Sequence, residues 1–279
     1  MKQITAEIVE SKKESSALNN GGIALSVSKA KTFDECKAKY KYTYIQKLPR
    51  KEWDFHVFGQ FVHEILERYH KVDSDQIDPD TIMTNCFQES LKSFDGKLSQ
   101  AQKNEAFEII KKYLVKIKSP VESPVNVVNV EKSFFIDVGG SVLLNGFIDR
   151  VQIDPDGIVH VADYKTTKNK KYVNDFFQLL TYAFVLMTED DSLNKVRASY
   201  ILVRHDFEYI TKEFHRDEVM GVSKKFIDFA SQIREEKLWE PSPRFLCKFC
   251  DHLDICKEGK SYLIKRKIIK ESTFGLSEW

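Results

Sequence analysis

Two groups of side chains in this sequence have types and spacings that could do chemistry. The first is thiol: Cys36 stands alone near one end, and Cys247, Cys250 and Cys256 form a C-x2-C-x5-C cluster near the other. Four thiolates are a complete ligand set for either Zn²⁺ or a [4Fe-4S] cluster. A centre shared by all four would join positions 211 residues apart. Five cysteines make an odd number for a disulfide framework, so a reducing, cytoplasmic setting with cysteine spent on metal is the expectation. The fifth, Cys86, lies in an amphipathic segment and reads as a buried thiol.

The second group is two carboxylates and an ammonium. Asp154-Pro155-Asp156-Gly157 separates two apolar runs, and a three-residue loop ending on a left-handed glycine is a favoured hairpin closure. That loop sets residue 154 against 158, and the register then brings Asp149 across from Asp163, with Cβ atoms about 4.5–5.5 Å apart. Lys165, two residues on, points to the same face. Opposed like charges destabilise a hairpin unless something cationic sits between them. A bound divalent ion with Lys165 would supply that charge. A solvent-facing cluster is the alternative, but the flanking segments 146–148 and 159–162 are apolar, and unpaired charge there is costly.

The elements that must position these groups follow from periodicity. Residues 1–22 have the polar composition of a flexible leader, ending in Asn19-Asn20-Gly21-Gly22. Ser26 or Ser28 caps a helix expected to reach about residue 45, and apolar residues at helical spacing predict another over 57–72. Asp78-Pro79 opens a third and Ser99 a fourth, running to about residue 118. Pro120 and Pro124 end the helical run, and the pattern changes to a period of two over 125–138, 141–153 and 158–165. A helix over 173–188, strands over 196–204 and 209–214, and a helix over 217–236 follow, before Pro241 and Pro243.

This order predicts an α/β (α+β) fold, with 23–124 a helical part, 125–240 the core and 241–279 a cysteine-cluster cap carrying a basic tail. The chain has 279 residues, 42% of them hydrophobic and 30% charged, which suits an ordinary soluble core. No apolar run approaches the roughly 20 residues of a membrane span. The net charge of +1 gives no global sign of nucleic-acid binding. Locally, Lys165, Lys168, Lys170 and Lys171 follow the acidic strand, and 257–270 holds six basic residues against Glu258, which reads equally as a solvated face or a phosphate track.

Asp149 followed by Asp163-Tyr164-Lys165 resembles the D…(D/E)-x-K signature of the PD-(D/E)xK nuclease superfamily, and Gly146-Phe147-Ile148-Asp149-Arg150 is similar to the G-x-x-D-R form of its RecB-like branch. Gly59-x3-His63-x2-Leu66-Glu67 resembles that branch's G-x3-H-x2-L-E helix, and Gln178-x3-Tyr182 its Q-x3-Y helix. With the four cysteines, the pattern resembles the iron-sulfur subgroup that includes the AddB nuclease domain and CRISPR-associated RecB-like exonucleases, from about residue 25 to 256.

The resemblance implies a restriction-endonuclease-like core, a mixed central sheet flanked by helices. It implies that His63, Asp149, Asp163 and the carbonyl of Tyr164 bind Mg²⁺ or Mn²⁺, and that Lys165 positions or helps deprotonate the attacking water. Glu67 would orient His63, and Gln178, Tyr182, Lys168 and Lys170 would support the site or contact DNA. Cys36, Cys247, Cys250 and Cys256 would hold [4Fe-4S], with Zn²⁺ the alternative. The function implied is a metal-dependent exonuclease acting on single-stranded DNA or free ends in recombination or repair, with a recombination or replication protein as partner and no membrane. A non-catalytic, metal-stabilised DNA-binding module and a zinc-cluster regulator are the competing readings. His70, His160, His205, His215 and His252 are expected to be ordinary polar or core residues, and Trp53, Phe55, Phe245 and Phe249 to pack or to stack on bases.

Overall fold

The computed structural model describes residues 22–72, 77–118 and 126–270. The leader over residues 1–21, the two prolines at 120 and 124, and the first residue of the strand expected over 125–138 lie outside the described residues. In chain order the elements are β1 (Ile23–Leu25), α1 (Val27–Glu35), α2 (Lys37–Tyr40), α3 (Asp54–Lys71), α4 (Pro79–Ser93), α5 (Gln100–Ile117), β2 (Asn126–Asp137), β3 (Val142–Ile153) and β4 (Val159–Lys165). Then come α6 (Phe177–Glu189), β5 (Lys195–Leu202), β6 (Glu208–His215), α7 (Arg216–Val219), α8 (Val222–Glu235) and α9 (Lys257–Lys265).

The six strands form one mixed sheet in the order β1-β3-β4-β5-β6, with β2 also on β3. β1 runs parallel to β3 and β4 parallel to β5, while β3/β4 and β5/β6 are antiparallel. This is the mixed α/β architecture expected of the sequence. The chain divides into two compact units. One is built from described residues within 1–51, 137–144 and 224–279, the other from those within 52–136 and 145–223.

In the second unit, α3 buries the stripe Val57, Phe58, Phe61, Val62, Ile65 and Leu66 against α4 and α5. Ala162 and Tyr164 of β4 join the same core, while α6 packs against β4 and β5. β4 is therefore covered on both sides, which explains why Val159 to Ala162 reads as a nearly continuous apolar run. The caps fall where the sequence puts them. Asp78 Oδ2 accepts from Thr81 N at 3.1 Å, and Ser99 forms a reciprocal capping box with Gln102.

Three predicted helices are shorter or broken. The helix expected over 26–45 stops at Cys36, whose backbone is extended (φ −164°) and whose sulfur accepts from Lys39 N, so that α2 restarts and passes into a π-helical turn over Lys41–Ile45. The helix expected from 173 begins at Phe177, where the Asp175 carboxylate caps Phe177 N at 2.8 Å. The helix expected over 217–236 is two, α7 and α8, separated at Met220 and Gly221; glycine is a poor helix former.

Arg150, only 1% exposed, is the largest fully buried side chain. It donates from Nη1 to the hydroxyls of Tyr113 (3.1 Å) and Tyr164 (2.9 Å) and from Nη2 to that of Tyr209 (3.2 Å). Gly146 of β3 lies under the ring of Phe134 on β2: a Cβ there would come within 2.6 Å of Phe134 Cζ. Gly146→Ala is expected to destabilise the protein by about 1–3 kcal/mol, because the ring is wedged in a filled core. Urea unfolding checks this, and Phe134→Leu in the alanine background should recover part of the loss.

Candidate metal and catalytic site

The hairpin that carries the carboxylates closes as its sequence requires. Gly157 takes φ +77°, its N–H donates to Asp154 O at 2.8 Å, and Asp154 N donates to Ile158 O at 3.0 Å. The register follows: Arg150 faces Ala162, Gln152 faces His160 and Ile153 faces Val159. One detail differs from expectation. The regular ladder ends at Arg150 and Ala162, and beyond it the Asp149 side chain takes over, Oδ2 accepting from Tyr164 N at 2.8 Å.

His63 reaches this hairpin from α3. Gly59, one turn earlier, lets the helix approach the end of β4, since a Cβ there would lie 3.1 Å from Thr166 Oγ1. The imidazole places Nε2 2.9 Å from Tyr164 O and Nδ1 3.4 Å from Asp149 Oδ2. Burial holds it below the ordinary imidazole range, with Asp163 pulling the other way, so it is held as a neutral ligand. Burial, and then the neighbouring Asp163, push the Asp149 carboxyl up to about 8.

Asp163 is 3% exposed, and its two oxygens have different surroundings. Oδ1 accepts from Gln178 Nε2 at 2.7 Å and lies 3.5 Å from the Tyr182 hydroxyl. Oδ2 has Lys165 Nζ at 2.6 Å as an ion-pair contact but receives no hydrogen bond of proper geometry. Lys165 Nζ donates instead to Gln178 Oε1 at 2.9 Å and sits over the Tyr200 ring. The Gln178 amide is thus fixed: its oxygen faces the ammonium, its nitrogen faces Asp163 and the Tyr182 hydroxyl. The ring of Phe134 packs edge-on against Tyr182 at 6.2 Å.

One residue of this site escaped the sequence reading. Among the described residues, His63, Glu131 and Asp149 are the one set of three or more His, Cys, Asp or Glu side chains whose ligand atoms all lie within 4.8 Å of one another. Asp163 falls outside that set. Glu131 lies within β2 with a left-handed backbone (φ 48°), a local irregularity in an otherwise continuous strand. Burial, then Asp149 and Glu67, push its carboxyl up to about 7. The signal was available: the β2–β3 hairpin pairs Val138 with Val142, and that register continued down both strands brings Glu131 level with Asp149.

Glu67 pairs with Lys71, one helical turn on. Lys170 pairs with Glu208 at the surface. Lys168 lines a cleft with Lys112, Arg204 and Glu105.

The four cysteines meet within the first unit. Cys36, Cys247, Cys250 and Cys256 line a single cavity, all as free thiols. Backbone N–H groups point at three of the sulfurs: Lys39 N at Cys36 (3.4 Å), Arg244 N at Cys247 (3.3 Å) and Gly259 N at Cys256 (3.3 Å). Gly259 is needed for the approach, since a Cβ there would lie 3.2 Å from Cys256 Sγ. Burial raises the Cys250 and Cys256 thiols. His252 also lines the cavity, but its Nε2 pairs with Thr43 Oγ1 at 2.9 Å. The other histidines behave as polar structural groups: His70 contacts Tyr113, and His160 contacts Asp154 and Ser199. Phe245 and Phe249 are partly exposed beside Lys248.

Over 176 residues, 59% of its length, the chain is 24% identical to a component of the ATP-dependent helicase/deoxyribonuclease of Streptococcus pyogenes serotype M3 and 25% identical to the same component from serotype M18. The match spans only 16% of those much longer proteins. The crystal structure of a candidate exonuclease from Eubacterium rectale superimposes with a TM-score of 0.50 at 13% identity, covering 82% of this chain and 87% of that one, a likeness of fold. The model of the PD-(D/E)XK nuclease superfamily matches residues 24–257, and the chain belongs to that superfamily.

Proposed function

We propose that this chain is a divalent-metal-dependent deoxyribonuclease that removes nucleotides from single-stranded or free-ended DNA. The observation that carries the reading is Asp163. It is a buried carboxylate whose Oδ2 faces the Lys165 ammonium at 2.6 Å without a hydrogen bond of proper geometry, near the half-buried Asp149. Two carboxylates in such a setting are stable as anions only with a cation between them. The donor set of oxygens with one imidazole suits Mg²⁺ or Mn²⁺.

His63, Asp149, Asp163 and the Tyr164 carbonyl would hold the ion. When bound, it supplies the positive charge against which a phosphodiester and its attacking water are aligned. The protein's own groups do the rest. Gln178 and Tyr182 fix the Asp163 carboxylate from one side, and Gln178 also anchors the Lys165 ammonium. Lys165 can then hold the water's oxygen and stabilise negative charge on the phosphate. Lys168 is suited to steer a backbone phosphate, standing in its cleft without the carboxylate partner that Lys170 has. DNA as substrate, a role in recombination or repair and a helicase-type protein partner rest on the named activity of the streptococcal relatives.

The cysteine centre is read as [4Fe-4S], with Zn²⁺ the alternative, because four thiols lining one cavity complete the ligand set of either. Backbone N–H groups directed at sulfur are the contacts that tune iron-sulfur centres. The cluster's role would be structural, tying α2 to the segment before α9.

Asp163→Ala and Lys165→Ala should each lower Mg²⁺- or Mn²⁺-dependent digestion of end-labelled single-stranded DNA by roughly 10²–10³-fold; full activity in either variant would sink the assignment. Protein purified without oxygen should be brown, with broad absorption near ~400 nm that is lost in Cys250→Ser. The Asp149 carboxyl has a folded-state value far above its unfolded one. Between about 4 and about 8, therefore, the folded metal-free protein binds a proton that the unfolded chain does not, and its stability falls as pH rises through that window. Asp149→Asn should flatten this slope and raise the melting temperature in EDTA at pH 8, by about 2–4 °C for each kcal/mol relieved.

A further inference from the structure

Resting on that reading, we propose that Arg204 is a positioning residue for Lys165, holding the end of β4 so that the ammonium meets Asp163 and Gln178. Lys165 is the last residue of its strand. Val203 and Arg204 hold the chain there: Val203 N donates to Lys165 O at 3.1 Å, one step past the pairing of Lys165 with Leu202, and Arg204 Nη1 donates to the carbonyl of Thr166. The same guanidinium grips α5 through Glu105, Nε to Oε1 at 2.7 Å and Nη2 to Oε2 at 3.2 Å. Its face lies over the ring of Phe58 on α3, 4.1 Å from the centroid. A planar fork can meet these partners at fixed angles at the same time. One side chain thus ties the residue after Lys165 to α5 and to α3, the helix that carries His63.

A positioning residue must itself be held. The Arg204 side chain is only 12% exposed, and it enters the turn between β5 and β6, where His205 N donates to Leu202 O at 2.9 Å and Glu208 N to His205 O at 3.0 Å. Asp206 and Phe207 in that turn both take left-handed backbones (φ 52° and 56°), uncommon for residues other than glycine. Phe207 anchors the turn, buried with its ring 4.8 Å from that of Tyr113. At the far end of the chain of contacts, Lys165 Nζ stands 2.9 Å from Gln178 Oε1 and 2.6 Å from Asp163 Oδ2. Freeing the Thr166 carbonyl would let the backbone of Lys165 shift, and the ammonium with it. Arg204 also lines the cleft that Lys168 enters, so a direct contact with DNA is the competing role. Its Nε, Nη1 and Nη2 are each already engaged by Glu105 or Thr166, which favours positioning.

Arg204→Met tests this in the full chain, assayed with Mn²⁺ and end-labelled single-stranded DNA. It should lower kcat by about 10–100-fold, the cost of a catalytic group displaced by roughly 1 Å. The KM for DNA should stay within about twofold of the native value. In a Lys165→Ala background the same replacement should lower the residual rate by less than about twofold, because the group it positions is gone. A merely structural loss would act alike in both backgrounds, so an equal drop with and without Lys165 would overturn the proposal. A raised KM at unchanged kcat would overturn it too, making Arg204 a contact for DNA, and so would native kinetics in Arg204→Met. Each of these outcomes leaves the nuclease reading standing, whereas a native protein without metal-dependent digestion would overturn both. If Arg204→Met fails to fold by circular dichroism, Glu105→Ala, which removes the fork's anchor on α5, should lower kcat at unchanged KM, and again only where Lys165 is present.

Discussion

The protein is organised around negative charge that its own side chains do not fully neutralise. Asp163 is buried and Asp149 half-buried, carried on adjacent strands of a tight hairpin, and Glu131 is brought beside Asp149 from a third strand. Against them stand Lys165, shared with Gln178, and an imidazole that burial keeps neutral. A fold that only had to be stable would have replaced such a group by apolar side chains, since buried unpaired charge is among the most expensive things a core can contain. Burial meets that cost by pushing the Asp149 and Glu131 carboxyls up, toward their protonated forms.

The surrounding structure fixes those carboxylates and the groups around them in place. Gly59 removes the side chain that would hold α3 off β4, and this brings His63 to the Tyr164 carbonyl. Gly146 makes room for Phe134, whose ring backs Tyr182, which backs Gln178, which fixes Asp163 and Lys165. The glycines that the family pattern marks are therefore packing devices two contacts removed from the chemistry. A small shift at either would be felt as a misplaced ligand.

Much of this was legible in the sequence because it is local. The Asp154–Gly157 turn fixes a register, and the register alone brings the two strands' carboxylates together. Capping residues and a 3.6-residue stripe gave α3, α4 and α5 for the same reason. What escaped was non-local or irregular. Cys36 looks like a helix interior until its sulfur is seen to cap the next turn. Glu131 needed the long hairpin over Gly139 and Gly140 to be followed for seven residues, through a left-handed irregularity that periodicity does not reveal. The four cysteines were recognisable as a set, and the fold brings them to the lining of one cavity.

Arg150 completes the argument about charge. It follows Asp149 directly and is fully buried, so an ion pair between them would seem the natural way to make both charges tolerable. The strand prevents it. Consecutive side chains leave a strand on opposite faces, and the guanidinium enters the helical side, where three tyrosine hydroxyls and the face of the Tyr164 ring solvate it without a carboxylate. Its field still reaches Asp149 through the sheet and favours the ionised form, yet it occupies none of the carboxylate's lone pairs. Had the arginine been on the same face, Asp149 would be a closed salt bridge with nothing left to offer a metal. The pairing of Asp149 with Arg150 in sequence thus gives electrostatic support without an ion pair, and it leaves the oxygens of Asp149 unclaimed by the guanidinium.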